Sequence, residues 1–115
     1  MDAARLRRSK DIALVRAEGL LRTDRHFSMR ARRSGGDAVR IALATPRSIG
    51  SAVRRNRVRR RLREAMRVAL ARRERAPGTD VLVVARPAAL RAPAAELRSA
   101  VARELDAALG DGPSS

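Results

Sequence analysis

Between Arg54 and Arg63 seven of ten residues are arginine, and the residues between and after them recur at helical spacing. On a wheel of about 3.6 residues per turn, Val58, Leu62, Ala65, Met66 and Ala69 form one stripe. Asn56, Arg60, Arg63 and Arg67 fall on the opposite face, with Arg57 and Glu64 beside them. Arg59 and Arg61 flank the stripe, and Arg55 lies near the apolar side in the first turn. The pattern predicts a helix running to about Arg73 or Arg75, with one face built to pack and another presenting guanidinium groups in a row.

Such a face is costly to the helix that carries it. Like charges at i,i+4 and i,i+3 repel by roughly 0.2–0.5 kcal/mol a pair. The pairs here total ~1.5–3.5 kcal/mol, against the ~5–15 kcal/mol that stabilises a small domain. Glu64, three and four residues after Arg61 and Arg60, is expected to relieve part of this. Folding alone gives no reason to keep the row, whereas a polyanion does, because arginine's planar fork matches phosphate. The bland alternative is a solvated face in an arginine-biased composition, since Lys10 is the only lysine. The charge distribution counts against it. Residues 1–75 hold 23 of the 27 basic side chains and 7 of the 12 acidic ones, whereas residues 76–115 are close to neutral. An evenly biased composition would not leave the second part balanced, so the first reads as a surface for nucleic acid or an anionic membrane.

A chain of 115 residues suits one domain with a modest core. The absence of cysteine excludes disulfides and thiolate metal sites and fits a reducing compartment. No apolar run approaches the ~20 residues of a membrane span. The charges of the first eight residues are not followed by a hydrophobic stretch, so no secretory signal is read there and a cytoplasmic location is expected. Phe27 is the only aromatic residue. Any base stacking must therefore come from Phe27, His26 or arginine planes.

The chain divides into a basic, loosely ordered arm at 1–8, one α+β domain at 9–110 and a frayed tail at 111–115. Ser9 is placed to cap a helix from Lys10 to Glu18 that packs through Ile12, Leu14 and Val15 and stops at Gly19. Residues 25–33 alternate, with Phe27, Met29 and Ala31 on one side and His26, Ser28, Arg30 and Arg32 on the other. After a Ser34-Gly35-Gly36-Asp37 turn, a strand from Ala38 to Thr45 directs Val39, Ile41 and Leu43 inward. Asp80 to Arg86 is an almost unbroken apolar run, as for an interior strand. Leu97, Val101, Leu105 and Leu109 stripe a last helix beginning at Ala92-Pro93 and ended by Gly110. The order is α-β-β-α-β-α, with room for a short strand near 20–24 or 46–50. The strands flanking the arginine helix can pair in parallel and make it a crossover. A mixed sheet would then hold helices on one face and leave the other open, lined by small residues and arginines.

Protein-based catalysis is disfavoured. His26, the only histidine, is expected at the surface or an edge, and Gly35-Gly36 reads as a hairpin turn rather than a phosphate loop.

The string from Gly50 to Ala65, with Arg55-Asn56-Arg57 and Leu62-Arg63-Glu64 at its heart, resembles the signature of the bacterial ribonuclease P protein subunit. The opening from Arg5 to Asp11 and the strand from Asp80 to Pro87 resemble the same family, and the likeness spans residues 5–109. It implies an RNA-binding accessory to a catalytic RNA, which uses bound Mg²⁺ to remove the 5′ leader of precursor tRNA. It also implies a monomer in a 1:1 complex with that RNA. Carried over by position, Arg55, Asn56, Arg57, Arg59, Arg60, Arg63 and Arg67 would contact the catalytic RNA. Ile12, Arg16, Phe27, Arg30, Arg40 and Arg47 would line a leader cleft between the first helix and the open sheet face. The chain departs from the family in that cleft. Ile12 and Arg16 stand where phenylalanines are usual, Arg30 where a tyrosine is frequent, and Ser48 where a second basic residue follows the one matched by Arg47. Arginine planes and phosphate attraction are expected to replace stacking, giving a less aromatic and more salt-sensitive grip. Three other classes compete: a ribosomal or assembly protein, a DNA-binding regulator, for which only Asn56 could read bases, and a membrane-surface helix, which lacks aromatic anchors.

Overall fold

The apolar run at residues 80–86 becomes the middle of the sheet. The structure, a computed structural model, describes residues 1–110; the expected tail at 111–115 lies outside the described residues. Strand β1 is Ala4–Arg5, β2 Leu20–Thr23, β3 Phe27–Arg33, β4 Val39–Ala44 and β5 Thr79–Ala85, and they lie in the order β1-β4-β5-β3-β2. The central β5 runs parallel to β4, with Ile41 opposite Val81 and Leu43 opposite Val83. It runs antiparallel to β3, with Phe27 opposite Ala85 and Met29 opposite Val83. Helix α2, Ala52–Ala71, joins the parallel pair and is the crossover expected from its place between them.

Strand alternation then divides the core in two. On one face Phe27, Met29, Val39, Val81 and Val83 meet Val58, Leu62, Ala65, Met66 and Ala69 of α2. Leu97, Val101, Leu105 and Leu109 of α3, Ala94–Leu109, close the same core. On the other face Ala42 and Leu82 meet Leu6 and Val15, with Ile12 and Val84 partly buried beside them. Helix α1, Ser9–Glu18, therefore lies across the second face and covers part of it; the uncovered remainder is the open surface.

Several local expectations change. The 1–8 arm is tied down: Ala4 and Arg5 pair with Arg40 and Ile41, and Leu6 is buried against Val15, Ala42 and Leu82. Ser9 does not cap α1 but begins it, and Arg8 before it offers no side-chain hydrogen bond. Of the two places open to a short strand, 20–23 takes it, while Arg47–Ile49 form a single 3₁₀ turn that buries Ile49. Helix α2 is capped by Ser51, whose side chain accepts from the Arg54 N–H, and it ends earlier than predicted. There the Arg73 N–H bonds back to the Leu70 carbonyl, and the Arg73 guanidinium turns to Asp106 and the Gly110 carbonyl. Gly19 is required at the end of α1, because a Cβ there would stand 2.5 Å from the Val15 carbonyl oxygen.

Candidate nucleic-acid interface

The outward face of α2 carries the arginines that the wheel assigned to it, but the seven candidate contacts are not equivalent. Arg57, Arg60 and Arg63 are exposed and, among the described residues, make no hydrogen bond or ion pair. Arg67 instead grips Glu64 through two bonds of 2.6 and 3.1 Å. Those bonds hold the Glu64 carboxyl below its usual range, and Glu64 in turn raises Arg67. Glu64 therefore does not neutralise Arg60 and Arg61 as expected; it reaches forward by one turn. Arg59 donates to the Asn56 side-chain oxygen at 2.7 Å and to the Thr45 hydroxyl, leaving the Asn56 amide nitrogen as that residue's free donor. Arg55 is half-buried, with its Nε shielded from solvent and unpartnered. Arg61, on the flank, is a structural clamp. It donates to the carbonyls of Ala89 and Leu90 at 2.9 and 2.7 Å, and to that of Ala92, and so ties α2 to the 3₁₀ turn Pro87–Leu90.

The open part of the sheet forms a second basic surface. Arg16 of α1, Leu21 and Thr23 of β2, Ser28 and Arg30 of β3, and Leu82, Val84 and Arg86 line one cleft. Arg16 and Arg30 thus come together as expected, but the other four predicted cleft residues do not. Phe27 is 0 % exposed and points into the α2–α3 core, because strand alternation sets it opposite in sense to Ser28 and Arg30. Ile12 packs beside Leu6 and Val15. Arg40 is held in a fork by Asp80 at 2.8 and 2.7 Å and approached by Asp11 at 3.4 Å, which leaves its charge answered from within and its pKa raised. Arg47 is exposed on the 3₁₀ turn, outside the residues that line the cleft. Leu21, Thr23, Ser28, Leu82, Val84 and Arg86 line the cleft without being among the expected residues. The alternation of β5 carried the signal for Leu82 and Val84; nothing in the sequence marked Leu21.

A charged α2 row, an α1-covered sheet and a parallel β4–β5 pair around a crossover helix make a specific combination. The sequence profile described as Ribonuclease P matches residues 1–109. The chain belongs to that family. It is 36 % identical over 104 residues to the ribonuclease P protein component of Chloroflexus aggregans, covering 90 % of this chain and 76 % of that one. It is 44 % identical over 72 residues to the component from Brucella suis, covering 63 % of this chain; the chain spans about half the length of that relative. Among solved structures, the ribonuclease P protein from Thermotoga maritima superposes with a TM-score of 0.79 at 27 % identity, covering 92 % of this chain and 98 % of that one. The Staphylococcus aureus protein shares the fold at 20 % identity, with a TM-score of 0.77 over 95 % of this chain and all of the other.

Within this ribonuclease P fold, His26 is also not where it was expected. It is 4 % exposed, with Nδ1 2.7 Å from Asp24 and Nε2 2.9 Å from Glu96 on α3. Asp24 is bonded as well by the His26 backbone N–H and by Arg103. This is a joint between the β2–β3 hairpin and α3, remote in role from either basic surface. Among the described residues no helix is long and apolar enough to cross a membrane.

Proposed function

We propose that the chain is the RNA-binding protein subunit of a cytoplasmic ribonuclease P. In this reading it assists a catalytic RNA in the endonucleolytic removal of the 5′ leader from precursor tRNA. The observation that carries the reading is the row Arg57, Arg60 and Arg63, exposed at helical pitch and unanswered by any carboxylate among the described residues. The row spans roughly 9 Å along the helix axis, and Arg67, once released from Glu64, would extend it by about one turn. Phosphodiesters of the catalytic RNA neutralise it, which removes the repulsion that the free helix carries. The protein binds as a monomer, one to one with that RNA.

The leader lies in the sheet cleft. Arg16, Arg30 and Arg86 supply positive charge there, and Leu21, Leu82 and Val84 an apolar wall. With Phe27 turned away, the cleft has no aromatic platform, and its hold on the leader is electrostatic and salt-sensitive. Mg²⁺ belongs to the RNA. The chain's inward carboxylates are committed to partners within the fold: Asp80 and Asp11 to Arg40, and Asp24 to His26 and Arg103. The residues present do not fit a protein-held metal, and the work of the protein is to bind and orient.

The test is cleavage of precursor tRNA by the cognate RNA at low Mg²⁺, with and without the protein. Stimulation is expected from the natural chain, and from the Arg60→Ala/Arg63→Ala variant only at raised protein concentration. That variant should bind the RNA ~10–100-fold more weakly, with a shallower salt dependence and unchanged folding. No stimulation by the natural chain rejects the assignment.

A further inference from the structure

The arginine row is one wall of a groove, and α3 supplies the other. Helix α3 packs along α2, and between them runs a furrow of about 900 Å³. That is at the upper end of the ~300–1,000 Å³ typical of ligand clefts. Arg57, Arg60 and Arg63 stand on one side and Arg98 on the other, while Leu97 and Val53 contribute apolar surface. Arg98 is exposed and, among the described residues, has no hydrogen bond or ion pair. It lies near enough to Glu64 to help keep that carboxylate ionised, behind the stronger hold of Arg67. Glu64 is the sole acid of the lining.

We propose that RNA seats in this groove, not on the α2 face alone, with Arg98 as a phosphate contact and with the bound element an unpaired strand. The proposal rests on the RNA-binding reading above and adds a residue, a second wall and a class of RNA structure to it. Three observations argue for it. First, Arg98 has no hydrogen bond or ion pair among the described residues, whereas the next arginine of α3, Arg103, meets Asp24 and Glu104. Second, Val53 is 74 % exposed at the first turn of α2, an apolar side chain with no packing role, beside donors that suit phosphate. Charge on the walls and hydrocarbon between them match the two halves of an unstacked nucleotide, its phosphate and its base. Third, helices in contact stand roughly 8–10 Å apart axis to axis, and a furrow of that origin admits one strand, not a duplex.

The test is binding of the full chain to a transcript of the cognate ribonuclease P RNA across a salt series, with Arg98→Ala, Arg60→Ala/Arg63→Ala and Arg91→Ala compared. Arg91 is exposed after the 3₁₀ turn at 87–90 and lies outside the groove lining. Arg98→Ala is expected to weaken binding about three- to tenfold and to lower the log–log salt slope by about 0.7–1, as one lost phosphate contact does. Arg91→Ala is expected to do neither. In 2′-hydroxyl acylation of the RNA, the nucleotides whose protection disappears with Arg98→Ala should be unpaired. If Arg60→Ala/Arg63→Ala weakens binding while Arg98→Ala does not, the groove is wrong and the α2 reading stands. If neither weakens it, the RNA reading itself falls. If the Arg98-dependent protections lie in paired segments, the single-strand assignment is overturned.

Discussion

Helix α3 has arginine on both of its flanks, and the two flanks behave oppositely. Toward the β2–β3 hairpin Arg22 and Arg103 are both answered. Arg22 meets Glu104 at 2.9 Å, Arg103 meets Glu104 at 3.1 Å and Asp24 at 2.9 Å, and His26 bridges Asp24 and Glu96. Toward α2, Arg98 faces Arg57, Arg60 and Arg63 across a groove whose single carboxylate is already held by Arg67. The residue type is the same, and so is the exposure of its outer members; the difference is the supply of acid. One flank is a seam that closes the fold, and the other is a surface whose charge the described residues leave largely unanswered. A net charge of +15 says only that the second kind must exist somewhere.

The contrast depends on the rotation of α2, and the largest expected effect tests that rotation. Leu62 is 0 % exposed, packed with Val58, Ala65 and Met66 against the sheet. Leu62→Asp puts a carboxylate where no partner is available and should cost several kcal/mol, on the order of the whole stability of a small domain. Thermal unfolding followed by circular dichroism should show no cooperative transition. A folded variant would mean that the arginines called outward are not.

A smaller effect is expected from the closed flank. Burial pushes the Asp24 carboxyl up, but the His26 backbone N–H, the His26 ring and Arg103 together outweigh it and hold the group below the ordinary aspartate value. A carboxylate depressed in the folded state stabilises fully above its unfolded value of ~3.9, and loses that contribution as pH falls through the folded value. Asp24→Asn should therefore lower stability by about 1–3 kcal/mol near neutrality. The gap to the natural chain should narrow as pH is lowered below ~4, and RNA affinity should be unchanged. A gap independent of pH, or lost RNA binding, would merge the two flanks into one.

How much of this could be read beforehand follows from what local sequence encodes. The inward stripe of α2, the interior strand at 79–85 and the stripe of α3 were legible because period and burial coincide there. The split of arginines into clamps and contacts was not. Arg61 and Arg60 are neighbours in sequence, and the wheel separates them only as flank and outer face, yet Arg61 closes on carbonyls about thirty residues away. Arg40 has the sequence pattern of a cleft residue, but Asp80 and Asp11 surround its guanidinium. His26 looked peripheral because its partner Glu96 is 70 residues distant. In each case a long-range partner, invisible to periodicity, decided the role. Phe27 is different: its alternation already set it opposite Ser28 and Arg30, and family likeness placed it in the cleft against that pattern.

The smallest effect sharpens the open flank. Glu64 opposes any phosphate that enters the groove and occupies Arg67, which would otherwise extend the row by a turn. Glu64→Gln removes the negative charge and releases most of the hold on Arg67, while both side chains are already well exposed. Folding should not change measurably, since exposed pairs of this kind contribute little. RNA binding should tighten by about two- to threefold, with a salt slope steeper by up to about one phosphate contact. Weaker binding would instead show that Glu64 aims Arg67 at the RNA. The groove's one acid would then be a positioning residue, and the contrast between the flanks would rest on how acids are placed, not on how many there are.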